Sequence, residues 1–425
     1  MKNGIFFLTY NGYYNFTSGI GAQTNTFLKG IETYYKRFRK IYGEFEINLI
    51  VPKFDNTVGG FNQEYIDASD KIINKFGGRA YKCDSSLDIV DSDFWTVANW
   101  KRICVSASSI ILEEATKYKQ SIVIAVDPPF LHVPRYIEEH RKKLSAEIQS
   151  VILMYTSSYI HDKKLSYEKL GWEYSGLAST REYENIKIGK ICNYMYDHFI
   201  KFYGSDSKSF VPYPSSLFLE DDNFNKLPQN KILDILSKYN IPDDKNIIFA
   251  FGRMARVKGF DILLKSFRQI QGNVHLVLLA TTFEDRVDEY KNIIKKENLS
   301  CSLITQFTRE LPIALCQYKH CRMVVCPSRS EPFSNIPLEV ALWAKDQGPV
   351  VLASNVGGFI EQIDNEKNGF IFNIKDNKDL IEKMKFILQL PDKQLKMIRL
   401  DAYNKVIKER DFFSNFGLLL NSLWS

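Results

Sequence analysis

Short apolar runs rich in β-branched and aromatic residues alternate along this chain with longer stretches whose apolar positions recur at helical spacing. In the first half Ile5–Tyr10 and Glu46–Val51 read as strands, a helix runs from Thr24 to about Arg39, and another lies near Ser69–Phe76. Ser121–Val126 and Val151–Tyr155 supply two further strands. Alternation of this kind predicts parallel sheets whose strands are joined by helical crossovers.

The pattern then restarts. Glu220–Gln229 has few apolar residues and many Asp and Asn, a composition that cannot bury a face, so it reads as a linker. Beyond it Asn246–Phe251, Val274–Ala280, Met323–Cys326 and Pro349–Ala353 repeat the strand type, and Phe260–Gln269 continues the first of them as a helix. The second half therefore predicts a doubly wound α/β domain of its own.

Composition fits this picture. A chain of 425 residues has room for two large domains, and 45% hydrophobic with 25% charged residues is ordinary for a globular protein. The net charge of +6 is scattered rather than gathered into a basic tract, which argues against a nucleic-acid partner. The first ten residues hold an apolar run too short for a secretory signal, and no run approaches the roughly 18 apolar residues of a membrane span. A cytoplasmic location is expected. Seven cysteines, an odd number without regular short spacings, predict reduced thiols. Cys316, His320, Cys321 and Cys326 cluster but lack a C-x2-C pair, so they read as buried structural groups, and no metal site is assigned.

Three segments of the second half carry candidate chemistry. In Gly252-Arg-Met-Ala-Arg-Val-Lys258-Gly, a strand end leads through Gly252 into a loop bearing Arg253 and Lys258, two cations at the sheet edge where α/β folds bind ligands. They suit a diphosphate, while an ordinary loop with solvated charges is the alternative. In Pro327-Ser-Arg-Ser-Glu331-Pro-Phe-Ser334-Asn335-Ile336-Pro-Leu-Glu339, a strand turns into a helix starting near Asn335, with Ser334 or Asn335 as its cap and Pro337 in its first turn. Free amides at a helix start attract phosphate. Glu331 and Glu339 are carboxylates able to accept paired hydrogen bonds from vicinal diols; taken singly, Glu331 reads as a capping acid and Glu339 as a solvated helix residue. Third, Val356-Gly-Gly358 and Asn368-Gly369 read as structural turns that need positive φ and close packing.

In this order and spacing the three segments resemble the donor domain of the retaining glycosyltransferase family 4 group, which includes bacterial glycolipid glycosyltransferases and sucrose synthase-like enzymes. The likeness is close over residues 245 to 375 and rests on Gly-Arg-x4-Lys-Gly joined to the E-x7-E pair Glu331 and Glu339. It implies the GT-B fold, two Rossmann-like domains whose parallel sheets face across a cleft. Residues 1–210 would form the acceptor domain, 211–405 the donor domain, and 406–425 a C-terminal helix packing back on the first. The resemblance further implies that Arg253 and Lys258 neutralise a leaving diphosphate, that Ser334, Asn335 and Ile336 cradle it, that Glu331 meets the donor sugar and that Glu339 meets a nucleoside ribose.

Two first-half segments extend the likeness. Thr17-Ser-Gly19-Ile-Gly21-Ala-Gln resembles the family's glycine-rich loop, and Thr156-Ser-Ser-Tyr-Ile-His161 resembles its Thr-x-His element, which would set His161 beside the donor sugar. The implied activity is retaining transfer of a sugar from an activated sugar diphosphate, a nucleotide sugar above all, to an acceptor hydroxyl. It needs no cofactor and no metal; a sugar-nucleotide epimerase or hydrolase is the alternative. The family's Pro-Asn-Gly turn is here Pro212-Tyr-Pro214, and its Gly after Pro-Phe is Ser334, which leaves donor identity open, as acceptor and oligomeric state also are. Asp91-Ser-Asp93 matches a metal-diphosphate pattern of another fold but lies far from these motifs. Ile31–Tyr42 is basic and aromatic on a helix, like the face by which some family members touch acidic lipid; a solvated helix is the alternative reading.

Overall fold

A computed structural model describes residues 2–15, 18–54, 61–85, 92–141, 147–161, 166–281 and 286–424, and the side chain of His161 is not among what it describes. The chain forms two compact units, Met1–Phe218 with Arg410–Ser425, and Leu219–Glu409. Each is built on a wholly parallel sheet, as the alternating pattern predicts.

In the first unit the strands are β1 (Asn3–Leu8), β2 (Phe45–Pro52), β3 (Ala80–Cys83), β4 (Gln120–Val126), β5 (Glu147–Leu153), β6 (Ile186–Lys190) and β7 (Phe210–Pro212). They lie in the order β3-β2-β1-β4-β5-β6-β7. The second sheet uses β8 (Asn246–Arg253), β9 (Val274–Thr281), β10 (Cys301–Ile304), β11 (Cys321–Cys326), β12 (Val350–Ser354) and β13 (Phe370–Phe372), in the order β10-β9-β8-β11-β12-β13. The continuous apolar runs are explained by burial on both faces. Along β8, Ile248 and Ala250 enter one core while Ile247 and Phe249 enter the other, the period of two that a strand imposes.

Three local expectations change. The first helix begins at Gly19 rather than Thr24, because Ser18 accepts a hydrogen bond from the Gly21 amide at 3.1 Å and caps it. Residues 220–229 do not behave as a linker: the Trp343 indole donates to the Asn223 carbonyl at 2.9 Å, and Gln317 accepts from the Leu227 amide at 2.8 Å while donating to the Asn225 carbonyl at 3.0 Å. Side chains of the second unit thus satisfy a backbone that has few apolar groups of its own to bury. In the turn before β13, the left-handed residue is Glu366 at φ 66°, not Gly369. Gly369 serves packing instead, since a Cβ there would stand 3.1 Å from the Val351 carbonyl.

The helix Gly19–Tyr42 is covered by the C-terminal helix Phe412–Leu423, both in the first unit. Tyr34 packs on Phe413, Phe38 on Phe416, and the Arg37 guanidinium lies 3.8 Å from the Phe413 ring centroid. The aromatic rings that a lipid-facing helix would need are therefore engaged inside the unit. No helix among the described residues is long and apolar enough to cross a membrane.

Candidate functional site

Strand order reverses between β8 and β11, and the crevice beyond the carboxyl ends of such neighbouring strands is where open α/β sheets bind ligands. The loops leaving β8 and β11 are the two segments that carry Arg253, Lys258, Glu331 and Glu339. Arg253 is the last residue of β8, with an exposed side chain. Arg256–Lys258 makes one turn of 3-10 helix, and Gly259 at φ 68° ends it and opens the helix Phe260–Phe267. A Cβ at Gly259 would stand 1.8 Å from the Pro327 carbonyl oxygen, so glycine is what lets the two loops touch.

Lys258 Nζ and Glu331 Oε2 form an ion pair at 2.5 Å, with side chains only 16% and 9% exposed. Ser328 Oγ donates to the same oxygen at 3.4 Å. The structure thus joins two residues that the sequence reading set against different parts of a ligand. The loop from β12 braces them: Ser354 Oγ donates to the Ser328 carbonyl at 2.6 Å, and the Gly358 amide donates to the Glu331 carbonyl at 3.0 Å. Gly357, at φ 54°, would place a Cβ 1.7 Å from that carbonyl, which accounts for the glycine pair.

Sequence reasoning passed over Arg329. Its guanidinium donates two parallel bonds of 2.7 Å to Asp261 and one of 2.8 Å to the Arg256 carbonyl, tying the two loops together. Burial alone would raise the Asp261 carboxyl; the guanidinium fork outweighs it and holds the group below its ordinary value. The signal available was an arginine inside the Pro327–Glu331 turn and an acid in the first turn of the facing helix.

The helix Ile336–Trp343 follows Asn335, whose side chain makes no capping hydrogen bond; Pro337 stands in its first turn, and its Ile336 amide donates to Ser334 Oγ at 3.3 Å. Gln362 Nε2 holds the Ser334 carbonyl at 2.7 Å. Glu339 lies in that first turn. Burial pushes its carboxyl up to about 7, with Arg309 acting in the opposite direction and Asp221 adding to the rise.

The other predicted residues belong to the first unit. Gly19 and Gly21 fall in the opening turn of the first helix, and Gly21 packs so closely that a Cβ would stand 2.5 Å from Asn11 Oδ1. Thr17 lies outside the described residues, as does Asp91. Asp93 sits in the short turn Ser92–Trp95. His161 closes the helical turn Ser158–His161, which follows β5. Cys316, Cys321 and Cys326 are buried in the second core, and among the described residues no cluster of three His, Cys, Asp and Glu side chains is arranged to hold a metal.

Asp127, directly after β4, opens the segment Asp127–His132, which the sequence offers only as a source of aromatic and hydrogen-bonding groups for an acceptor. It is 1% exposed, adopts φ 61°, and accepts from the Tyr155 amide at 2.7 Å and the Tyr10 hydroxyl at 3.1 Å. Burial raises its carboxyl to about 7; those two donors oppose the rise and the Glu173 carboxylate adds to it. A carboxyl whose folded value exceeds its unfolded one keeps its proton in the native state while the unfolded chain has lost it, so its contribution falls as pH rises from about 4 to about 7. Asp127→Asn should flatten this part of the curve. Thermal melts at pH 5 and pH 8 are expected to differ less for the variant than for the wild type; an unchanged difference contradicts the assignment.

Comparison with known proteins adds the family context. Residues 232–402 match the family model of glycosyl transferases group 1. That stretch contains both loops and both glutamates just described. A capsular polysaccharide biosynthesis glycosyltransferase, CapM of Staphylococcus aureus, is 28% identical over 167 residues, and the match spans 38% of this chain and 41% of that relative's length. Among solved structures, sucrose-phosphate synthase from Thermosynechococcus elongatus superposes with a TM-score of 0.72 at 15% identity, covering 100% of this chain and 99% of its own. HepE of Anabaena, in complex with UDP and glucose, gives 0.67 at 15% identity, covering 99% of each chain. These likenesses show that the fold is the two-sheet GT-B architecture.

Proposed function

We propose that this chain is a glycosyltransferase that moves a sugar from a nucleotide sugar, with UDP-glucose the first candidate, to a hydroxyl of a growing glycan. The observation that carries the reading is the Lys258–Glu331 pair at the β8/β11 crevice, within loops that match the group 1 family over residues 232–402. UDP and glucose in HepE, and capsular polysaccharide biosynthesis in CapM, support the donor and acceptor classes.

In this reading Arg253 and Lys258 hold the diphosphate, and the helix opening at Ile336 faces it with its dipole. Lys258 has three N–H donors, so one bond to Glu331 orients the ammonium and leaves others for phosphate oxygens. Both bonds to the Glu331 carboxylate end on Oε2, and in this reading Oε1 meets a hydroxyl of the donor sugar. Glu339 receives the ribose hydroxyls. The acceptor hydroxyl attacks the face from which the diphosphate departs, a leaving oxygen takes its proton, and configuration is retained. Neither a metal nor a protein nucleophile enters, because two cations and a helix start meet the developing charge.

A thermal-shift screen over UDP-, GDP- and ADP-sugars, followed by transfer assays with the best donor, tests the reading. Stabilisation by one nucleotide sugar is expected, and stabilisation by none contradicts it. The Glu339 carboxyl adds a pH signature. Only its ionised form accepts from both ribose hydroxyls, so with a value of about 7 the affinity for UDP should rise about tenfold between pH 6 and pH 8. Glu339→Gln should weaken binding at pH 8 and flatten the profile; a profile equally steep in the variant refutes the assignment.

A further inference from the structure

The turn that presents Lys258 has little to hold it from within. Arg256–Lys258 is three residues of 3-10 helix, closed by the Lys258 amide on the Ala255 carbonyl at 2.9 Å and the Gly259 amide on the Arg256 carbonyl at 3.1 Å, and no side chain caps its start. So short a 3-10 piece is weak by itself. Its geometry is supplied from the facing loop. The Arg329 amide donates to the Val257 carbonyl at 2.7 Å, and the Arg329 guanidinium to the Arg256 carbonyl at 2.8 Å. One residue therefore takes two successive carbonyls of the turn, directly ahead of Lys258.

The guanidinium is itself fixed. Two of its nitrogens meet Asp261 at 2.7 Å, and that carboxylate stands in the first turn of the helix Phe260–Phe267 with its side chain 10% exposed. Asp261 comes three positions after Lys258 and Glu331 two after Arg329, so the fork spans the same two loops as the Lys258–Glu331 pair. A charge pair in so sheltered a place contributes little net stability where apolar residues could fill the space. What a planar group of five donors adds is direction, because it engages a carboxylate and a carbonyl at once, as a single ammonium cannot.

We propose that Arg329, held by Asp261, is a positioning residue that sets the Lys258 ammonium where the diphosphate is received. This rests on the reading of Lys258 as a phosphate ligand. Arg329 reaches no substrate; it acts through the Arg256–Lys258 turn. A charge-assisted contact that is lost costs about tenfold or more in affinity, and a shift of about 1 Å near a reaction centre costs on the order of 10²-fold in rate.

The variant Arg329→Met/Asp261→Asn removes both charges and strands neither, so its melting temperature should stay within a few degrees of the wild type. Calorimetric titration with UDP is expected to show about tenfold weaker binding, and kcat with UDP-glucose should fall on the order of 10²-fold. Made in the Lys258→Met/Glu331→Gln background, the same two substitutions should change the UDP dissociation constant by less than about twofold, since the group they position is gone. A crystal structure of the variant should show Lys258 Nζ and Glu331 Oε2 parted from 2.5 Å to beyond about 4 Å. Wild-type UDP affinity in the variant, or equal weakening in both backgrounds, overturns the proposal. If Lys258→Met/Glu331→Gln binds UDP as tightly as the wild type, the reading of Lys258 fails instead, and the crystal structure still decides whether Arg329 sets its place. Should the variant not fold, Arg329→Lys keeps a cation against Asp261 without also spanning to the Arg256 carbonyl; weaker UDP binding is expected of it, and undiminished affinity overturns the proposal.

Discussion

Lys258→Ala is expected to destabilise the second unit by about 3 kcal/mol, because it strands the Glu331 carboxylate in a site where that side chain is 9% exposed. Ser328 Oγ at 3.4 Å is too distant a donor to replace an ammonium at 2.5 Å. For a unit of this size the loss corresponds to roughly 6–12 °C in melting temperature. The penalty belongs to the unpaired charge more than to the lost bond. Lys258→Met/Glu331→Gln, which removes both charges and keeps both shapes, should therefore recover most of the melting temperature while remaining inactive. Melts of the single and double variants check this, and a double variant no more stable than Lys258→Ala contradicts it.

The largest catalytic effect is expected at Arg253. It ends β8 with an exposed side chain beside the strand-order reversal, where the proposed function puts the diphosphate. Removing one group that stabilises charge developing in a transition state costs about 10²–10³-fold. Arg253→Ala should lower kcat/KM for the nucleotide sugar by that amount with a melting temperature within a few degrees of the wild type. Arg253→Lys should restore only part, because an ammonium cannot reproduce the two-pronged contact of a guanidinium with phosphate. Steady-state rates with UDP-glucose give the comparison, and an Arg253→Ala variant of undiminished kcat/KM would refute the role.

Much of this was legible before any coordinates. Parallel sheets show as continuous apolar runs because strands buried on both faces have no polar side to alternate with. The site motifs are legible because a cation pair, a helix start and two acids each demand particular residue types over a few positions. What stayed hidden depends on partners far apart in sequence. The Lys258–Glu331 pair spans 73 positions, and Glu173 looks like any acid on a helix until Ser158 and Tyr203 are folded against it. Asp127 gave a faint signal, an acid between the apolar run Ile122–Val126 and two prolines. The segment 220–229 misled for the opposite reason, since its polarity is matched by Trp343 and Gln317, more than eighty positions away.

The central claim is that two cations of the second unit hold a nucleoside diphosphate. Calorimetric titration of UDP into the wild type and into Arg253→Met/Lys258→Met tests it most directly. Each charge-assisted contact contributes about 1.5–3 kcal/mol, so the double variant should bind UDP roughly 10²–10⁴-fold more weakly. Equal dissociation constants for the two proteins would contradict the account.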